Sequence, residues 1–77
     1  LKELIQRMSI PIDMVEEVVM GNVSQPADAA NVARVAALRA GIPDACPAHT
    51  VHRNCASGMQ ALTTAANKIL AGEISIA

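Results

Sequence analysis

The feature that most restricts the fold of this chain is a long stretch with almost no charge. Between residues 55 and 72 only Lys68 is charged. Apolar side chains recur in this stretch at helical spacing, at Met59, Leu62, Ala66, Ile69 and Leu70. The pattern predicts a helix over residues 55–71 that Gly72 ends. We expect a helix with so little charge to be buried on most of its sides.

The rest of the chain alternates helices with strands. Helical spacing predicts helices over residues 1–8 and 29–40. Short apolar runs predict strands over residues 18–20, 48–53 and 74–77. Gly41 ends the second helix, because glycine readily adopts the backbone conformation that follows a helix. An order in which helices and strands alternate predicts an α/β layered fold.

Small apolar residues must fill any core that this chain forms. Hydrophobic residues make up 52% of the sequence, yet Phe, Tyr and Trp are absent. Such side chains suit elements packed closely within something larger, although composition alone also allows a small Ala-rich helical domain. The apolar pattern is already under way at Leu1, and the strand over 74–77 stops in mid-run. We therefore expect residues 1–77 to be one partial domain, incomplete at both ends.

Charge and length exclude several classes of protein. Six basic and seven acidic side chains give a formal net charge of −1, which leaves no basic stripe for nucleic acid. No apolar run approaches the roughly 20 residues of a membrane span. Two cysteines are too few for a disulfide framework, so we expect a reducing, cytoplasmic setting, with an organelle left open. The scattered charges, Glu17 among them, are expected to face solvent. Asp28 is expected to cap the second helix.

Cys55 falls where a predicted strand passes into the uncharged helix. The first amide groups of a helix lack internal acceptors and carry partial positive charge. A thiol at such a position is favoured in its nucleophilic thiolate form, and the same amides can bind the oxyanion of an attacked carbonyl. Ala56, Ser57 and Gly58 are small, so an acyl group can approach the backbone. Cys55 is thus a candidate nucleophile, although a lone cysteine is more often a packing residue.

The residues around Cys55 resemble a known signature. The segment Asn54–Leu62, which reads Asn-Cys-Ala-Ser-Gly-Met-Gln-Ala-Leu, is similar to the nucleophile signature of the thiolases. Three further segments resemble this family in order and spacing: Glu17–Val23, Asn31–Pro43 and Ala71–Ala77. The resemblance spans nearly the whole chain and implies an α/β thiolase-like layered fold, here a partial N-terminal half-domain. One departure is His52, where the family usually has a small polar residue.

The resemblance implies an acyltransferase that acts on CoA thioesters. Cys55 would attack the keto carbonyl of a 3-ketoacyl-CoA, release acetyl-CoA and hold the acyl group until a second CoA accepts it. The reverse reaction is a Claisen condensation. The backbone N–H of Cys55 would donate to an oxyanion hole, and Gly58 would give the substrate room to approach. CoA is a substrate here, and neither a metal nor a resident cofactor is implied.

The resemblance also implies that these 77 residues lack part of the catalytic machinery. In the thiolases a general-base His lies in a downstream Gly-His-Pro motif, and a second, acid/base Cys lies in a downstream Cys-x-Gly motif. Neither motif occurs in this sequence. The isolated segment is therefore expected to have no turnover.

A dimerisation module is one alternative. In the thiolases the strand before the nucleophile pairs with its copy in a partner subunit. Ala48–Arg53 would be that strand, and the chain would form a homo-oligomer as a non-catalytic remnant. Arg53 itself is expected to be a structural or interface charge rather than a catalytic one.

A zinc site is the other alternative. Four potential ligands recur every three residues, namely Cys46, His49, His52 and Cys55. A step of three along a strand turns successive side chains to opposite faces, and Pro47 interrupts a helix. An irregular loop could still gather the four. Without a metal, Cys46 is expected to be a structural or incidental loop residue, and neither histidine is expected to act as the base of Cys55.

Overall fold

The computed structural model describes residues 1–77, which fold into four helical segments and two strands. In chain order these are α1 (Lys2–Met8), a 3-10 turn (Ile12–Met14), β1 (Val18–Gly21), α2 (Val32–Arg39), β2 (Ala48–Val51) and α3 (Ser57–Leu70). The predicted alternation of helices and strands is confirmed for these elements. The fold is α/β, as the sequence predicts.

The two strands form a parallel pair joined by α2. Val18 lies opposite Ala48, and Gly21 lies opposite Val51. A parallel pair requires a crossover connection, and α2 supplies it in the usual way for a β-α-β unit. The carboxyl ends of both strands therefore meet at one edge of the sheet, where the chain leaves β2 toward Cys55.

Alternation along β1 places α2 and α3 on opposite faces of the sheet. Val18 and Met20 pack in the cluster that contains Ala33 of α2. The neighbouring positions contact α3 instead: Glu17 binds Lys68, and the backbone of Gly21 lies against Ser57. Because successive side chains of a strand point to opposite faces, the result is a helix–sheet–helix sandwich.

The core lies between α2 and the sheet, and it is built from small side chains. Its buried members are Val18, Ala33, Ala37, Ile42 and Cys46. Ala33 and Ala37 are one helical turn apart, and their small size lets α2 lie close to the strands.

Glycines end the two longer helices as the sequence predicts. After α2, Gly41 has a φ of 85° and donates its N–H to Leu38, while Ile42 donates to Ala37. After α3, Gly72 repeats the arrangement with a φ of 77°. The positive φ turns the chain back over the last carbonyls, which would otherwise lack donors.

The predicted start of α2 is wrong by three residues. The helix begins at Val32, and the side chain of Asn31 accepts a hydrogen bond from the N–H of Arg34. Ala29 instead donates to Pro26 in a turn that also contains Asp28. Asn31 is therefore the N-cap residue in place of Asp28, since its side chain accepts a hydrogen bond from an amide in the first turn of the helix.

The strand predicted over residues 74–77 does not form. This segment makes a single backbone hydrogen bond, from the N–H of Glu16 to Ile76 at 3.0 Å. The N–H of Ser75 donates to the carboxylate of Glu16 at 3.1 Å. A ladder needs repeated backbone pairs, and Glu16 lies ahead of β1 rather than within it.

The burial predicted for α3 is also wrong. Only Ser57 and Ala61 are buried on this helix. Met59 and Leu62 are each 67% exposed, and Leu70 is 84% exposed. One stripe of α3 packs on the sheet, and no other element of this chain lies over its outer apolar side chains.

Candidate functional site

Cys55 lies in the short connection between β2 and α3, and its side chain is exposed. The strand ends at Val51 instead of residue 53, and the helix begins at Ser57 instead of residue 55. Cys55 is therefore two residues ahead of the first helical residue. Cys55 does lie between a strand and a helix, as predicted, but a tight turn separates the end of β2 from the start of α3.

The turn around Cys55 is formed by local hydrogen bonds. Asn54 has a φ of 48°, in the left-handed region that few residues other than glycine adopt. Its N–H donates to Nδ1 of His52 at 3.2 Å. The N–H of Ala56 donates to Arg53 at 2.9 Å, and the N–H of Ser57 donates to Asn54 at 3.1 Å. The chain thus reverses sharply at Asn54 and presents the next residue, Cys55, at the surface.

The hydroxyl of Ser57 joins the two sides of this turn. It accepts a hydrogen bond from the N–H of Arg53 at 2.7 Å and donates to the carbonyl of Asn54 at 2.7 Å. Ser57 is only 4% exposed. Sequence reasoning assigned Ser57 nothing beyond small size. A serine at the start of a helix commonly forms hydrogen bonds to nearby backbone groups, and this tendency is the sequence feature that could have predicted the role of Ser57.

Two amide groups at or near the start of α3 have no acceptor within the chain. The amides of Cys55 and Gly58 donate to no acceptor within the chain. Gly58 is exposed, and a Cβ at this position would meet nothing within 4 Å. The packing of this chain therefore does not require glycine at residue 58, and the predicted steric role toward a substrate stays a prediction.

Gly21, at the end of β1, lies directly against the start of α3. A Cβ built on Gly21 would overlap the carbonyl group of Ser57 and would lie 2.6 Å from the amide nitrogen of Gly58. Both neighbours are backbone atoms, which do not yield as a flexible side chain does. A side chain at residue 21 would push the start of α3, and the turn ahead of it, away from the sheet.

A buried carboxylate links β1, β2 and α3. Glu17 is 4% exposed, which corrects the prediction that it faces solvent. Its two oxygens bind Nδ1 of His49 at 2.9 Å and Nζ of Lys68 at 2.5 Å. Two cationic or hydrogen-bonding partners compensate the loss of water around this carboxylate. The hydrogen bond to Glu17 raises the pKa of Lys68 above its ordinary value, against the smaller effect of desolvation.

Cys46 lies in the core, as expected for a structural residue. Burial raises the pKa of the Cys46 thiol above its ordinary value, and the charge of Glu17 adds to the effect, while Arg34 opposes it. The guanidinium of Arg34 donates to the carbonyls of Cys46 and Asp44 at 2.9 and 3.0 Å. These bonds fix the loop before β2 against α2.

The structure does not gather the four residues of the proposed zinc site. Cys46 is buried and Cys55 is exposed. His49 binds Glu17, while Nδ1 of His52 accepts the N–H of Asn54. No three His, Cys, Asp or Glu side chains lie together in a way that would hold a metal ion.

The side chain of Arg53 takes a structural position next to the turn. Its guanidinium donates to the side chain of Gln60 in α3 at 2.7 Å. This contact and the bond from its N–H to Ser57 tie Arg53 to the helix.

None of the helices combines the length and the apolar character that crossing a membrane requires.

Comparison with known proteins assigns the family. The sequence model described as "Thiolase, N-terminal domain" matches residues 1–77. The chain belongs to the thiolase family. The segment is 45% identical over 76 residues to the mitochondrial trifunctional enzyme subunit beta of Bos taurus, covering 99% of this chain and 16% of that protein. It is 40% identical over 76 residues to the acetyl-CoA acetyltransferase of Cupriavidus necator, covering 99% of this chain and 19% of that protein.

Solved thiolase structures share this fold. The crystal structure of Bacillus anthracis acetyl-CoA acetyltransferase matches with a TM-score of 0.89 at 42% identity, over 95% of this chain and 18% of that one. A thiolase from Ascaris suum, solved in complex with coenzyme A, matches with a TM-score of 0.90 at 32% identity, over 95% of this chain and 19% of that one. The chain thus spans less than a fifth of the length of these thiolases, and the predicted thiolase-like fold is confirmed.

Proposed function

We propose that this thiolase segment carries the acyl-accepting nucleophile of an acyltransferase that acts on CoA thioesters. The observation that carries the proposal is the position of Cys55. Its side chain is exposed in a tight turn immediately before α3. Membership of the thiolase family and the acetyl-CoA acetyltransferase named among its relatives support the choice of substrate.

The proposed reaction proceeds in two acyl transfers. The thiolate of Cys55 attacks the keto carbon, C3, of a 3-ketoacyl-CoA. The bond between C3 and C2 then breaks, and C2 leaves with the thioester group. The released carbon takes a proton, which gives acetyl-CoA and leaves an acyl-cysteine. A second CoA thiol then attacks the acyl-cysteine and regenerates Cys55. The reverse sequence is a Claisen condensation.

The free amides beside Cys55 support the proposed oxyanion stabilisation. The amides of Cys55 and Gly58 have no acceptor in the chain and lie where α3 begins. Donors of this kind stabilise the negative oxygen that forms when a carbonyl is attacked. The absence of a side chain at Gly58 leaves this face of the turn open to an acyl group.

The base of the proposed reaction comes from outside these 77 residues. Nδ1 of His49 is engaged by Glu17, and Nδ1 of His52 accepts the N–H of Asn54. No hydrogen bond joins either histidine to the thiol of Cys55, and neither is assigned as its base. We expect the isolated segment to show no thiolysis of acetoacetyl-CoA, and measurable turnover by it would contradict this part of the proposal.

Replacing each cysteine in turn tests the assignment of the nucleophile. In the protein expressed from its complete reading frame, Cys55→Ala should lower kcat for thiolysis of acetoacetyl-CoA by on the order of 10⁴-fold. The matched control is Cys46→Ala, which removes the other cysteine from a position with no substrate role. Mass spectrometry of quenched reactions should find the acyl group on the peptide that contains Cys55. Acylation elsewhere, or a Cys55→Ala protein with full activity, would rule the mechanism out.

A dimerisation role is the second candidate, and one observation favours it. The sheet contains β1 and β2 only, so one edge of β2 has no neighbouring strand. Ala48–Arg53 includes this strand, and an unpaired edge is a template for pairing with a second copy. Gel filtration tests the idea: a monomer at micromolar concentration would argue against it.

The proposed role requires CoA as a substrate and neither a metal nor a resident cofactor. We propose the cytoplasm as its compartment. A mitochondrial relative, the trifunctional enzyme subunit beta, extends the proposal to an organelle.

A further inference from the structure

The turn that presents Cys55 is held by the side chain of Ser57, which follows Cys55 in the chain. Arg53 and Asn54 precede Cys55, and Ser57 follows it. The buried hydroxyl of Ser57 bonds to the N–H of Arg53 and to the carbonyl of Asn54, both at 2.7 Å. Two short bonds from one oxygen therefore close the loop across Cys55.

We propose that Ser57 is a positioning residue for Cys55. Its hydroxyl fixes the turn in the one conformation that presents the thiol at the start of α3. The hydroxyl has no direct role toward a substrate in this proposal. The effect on catalysis rests on the acyl transfer proposed above, whereas the effect on the geometry of the turn does not.

The conformation of Asn54 explains why such a restraint is needed. Its φ of 48° lies in the left-handed region, which asparagine adopts more readily than most residues but less readily than glycine, so hydrogen bonds that hold the turn help to keep it there. The carbonyl of Asn54 accepts both the hydroxyl and the N–H of Ser57. Removing the hydroxyl deletes one of these bonds and leaves the part-buried N–H of Arg53 without its acceptor.

The sheet holds Ser57 itself in place. The carbonyl group of Ser57 packs against the backbone of Gly21, and the residue is 4% exposed. Ser57 therefore fixes the position of the turn relative to β1. A loosened turn moves the thiol relative to the free amides of α3, and small displacements of a nucleophile reduce the rate strongly.

The test compares three substitutions at Ser57 in the protein expressed from its complete reading frame. Ser57→Ala removes the hydroxyl. Ser57→Thr keeps it, and Ser57→Val has nearly the shape of threonine without it. The control is Thr63→Ala, because the Thr63 hydroxyl also donates to a backbone carbonyl in α3, that of Met59, at a position away from the turn.

The expected result is a separation of kcat from KM. Ser57→Ala and Ser57→Val should lower kcat for thiolysis of acetoacetyl-CoA by roughly 10- to 100-fold, with KM changed by less than about threefold. Ser57→Thr should recover most of kcat, and Thr63→Ala should match the unmodified protein. Circular dichroism should show that each variant stays folded.

Three results would overturn the proposal. The first is a Ser57→Ala protein whose kcat lies within about twofold of the unmodified protein. The second is a Ser57→Thr protein no more active than Ser57→Val. The third is a Ser57→Ala protein that no longer folds, because a local restraint on one turn leaves the rest of the chain intact.

A second readout separates this proposal from the acyl-transfer mechanism. The rate at which iodoacetamide alkylates Cys55 requires no turnover, and it should fall about threefold or more in Ser57→Ala and recover in Ser57→Thr. If the unmodified protein never acylates Cys55, the acyl-transfer mechanism fails and the alkylation rates alone decide the role of Ser57. If Cys55 is acylated, but neither kcat nor the alkylation rate changes in the Ser57 variants, only the positioning role of Ser57 fails.

Discussion

The carboxylate of Glu17 accepts a hydrogen bond from the ammonium group of Lys68, although 51 residues separate the two in sequence. Glu17 precedes β1, and Lys68 lies near the end of α3, so the contact fixes the far end of the helix against the sheet. The near end is fixed by Gly21 and Ser57. The helix that follows Cys55 is thus held at both ends.

Removing Lys68 should destabilise the folded protein. In Lys68→Met the buried carboxylate of Glu17 keeps only His49 as a partner, and an uncompensated buried charge costs folding free energy. Thermal unfolding should show a lower Tm than in the control Lys2→Met, which changes an exposed lysine of α1. The double variant Glu17→Gln/Lys68→Met should regain part of the loss. Equal Tm values for Lys68→Met and Lys2→Met would contradict the structural role of the pair.

Stability should also depend on the ionisation of Lys68 at high pH. The folded state raises the pKa of Lys68 above its ordinary value of 10.5. Its contribution is therefore present in full below pH 10.5 and is lost as the pH rises through the folded-state pKa. Urea unfolding of Lys68→Arg, whose side chain stays charged, should match the unmodified protein at pH 9 and differ from it only above about pH 10.5.

Cys46 should produce an earlier decline in the same measurement. Burial raises the pKa of its thiol above the ordinary value of 9.0. A raised folded-state pKa gives stability that is complete below pH 9.0 and declines as the pH rises above it, because the unfolded chain ionises first. Cys46→Ala should therefore flatten the decline that begins near pH 9.0. An unchanged slope in this variant would show that Cys46 makes no such contribution.

The two cysteines should react with iodoacetamide at very different rates. Cys55 is exposed, whereas Cys46 is buried and its thiolate is disfavoured by a raised pKa. In the native protein at pH 8 we expect Cys55 to be alkylated about tenfold faster or more, as measured by peptide mass spectrometry. In urea the two rates should converge. Comparable native rates would place Cys46 at the surface, contrary to the structure.

A side chain at residue 21 should destabilise the protein, and one at residue 58 should not. The Cβ of Gly21→Ala would overlap the backbone of Ser57, which costs about 1–3 kcal/mol of unfolding free energy. The Cβ of Gly58→Ala meets no neighbouring atom, and alanine is favoured over glycine in a helix, so its Tm should be no lower than that of the unmodified protein.

The kinetics of Gly58→Ala test the steric role toward the substrate that is proposed for Gly58. If an acyl group passes close to this residue, Gly58→Ala should raise KM for acetoacetyl-CoA without lowering Tm. Wild-type kinetics for Gly58→Ala would remove the steric role, and a Tm for Gly21→Ala at the unmodified value would remove the contact between β1 and α3.

Local pattern accounts for what was predicted correctly. The helical spacing of apolar residues, the glycines at residues 41 and 72 and the strand-to-helix junction at Cys55 all involve neighbours within a few positions. The errors in helix starts have the same local character. Asn31 caps α2 because its side chain reaches the N–H of Arg34. The spacing of residues in the sequence does not distinguish Asp28 from Asn31 as the cap.

By itself, the sequence determined the order of helices and strands, the α/β class and the position of Cys55 at a strand-to-helix junction. Short-range periodicity and helix-ending glycines are sufficient for these features. Only the tertiary structure decided that Glu17 is buried against Lys68, that Gly21 touches Ser57 and that residues 74–77 form no strand. Each of these depends on which distant backbone lies alongside, and the packing of α3 on the sheet sets that relation.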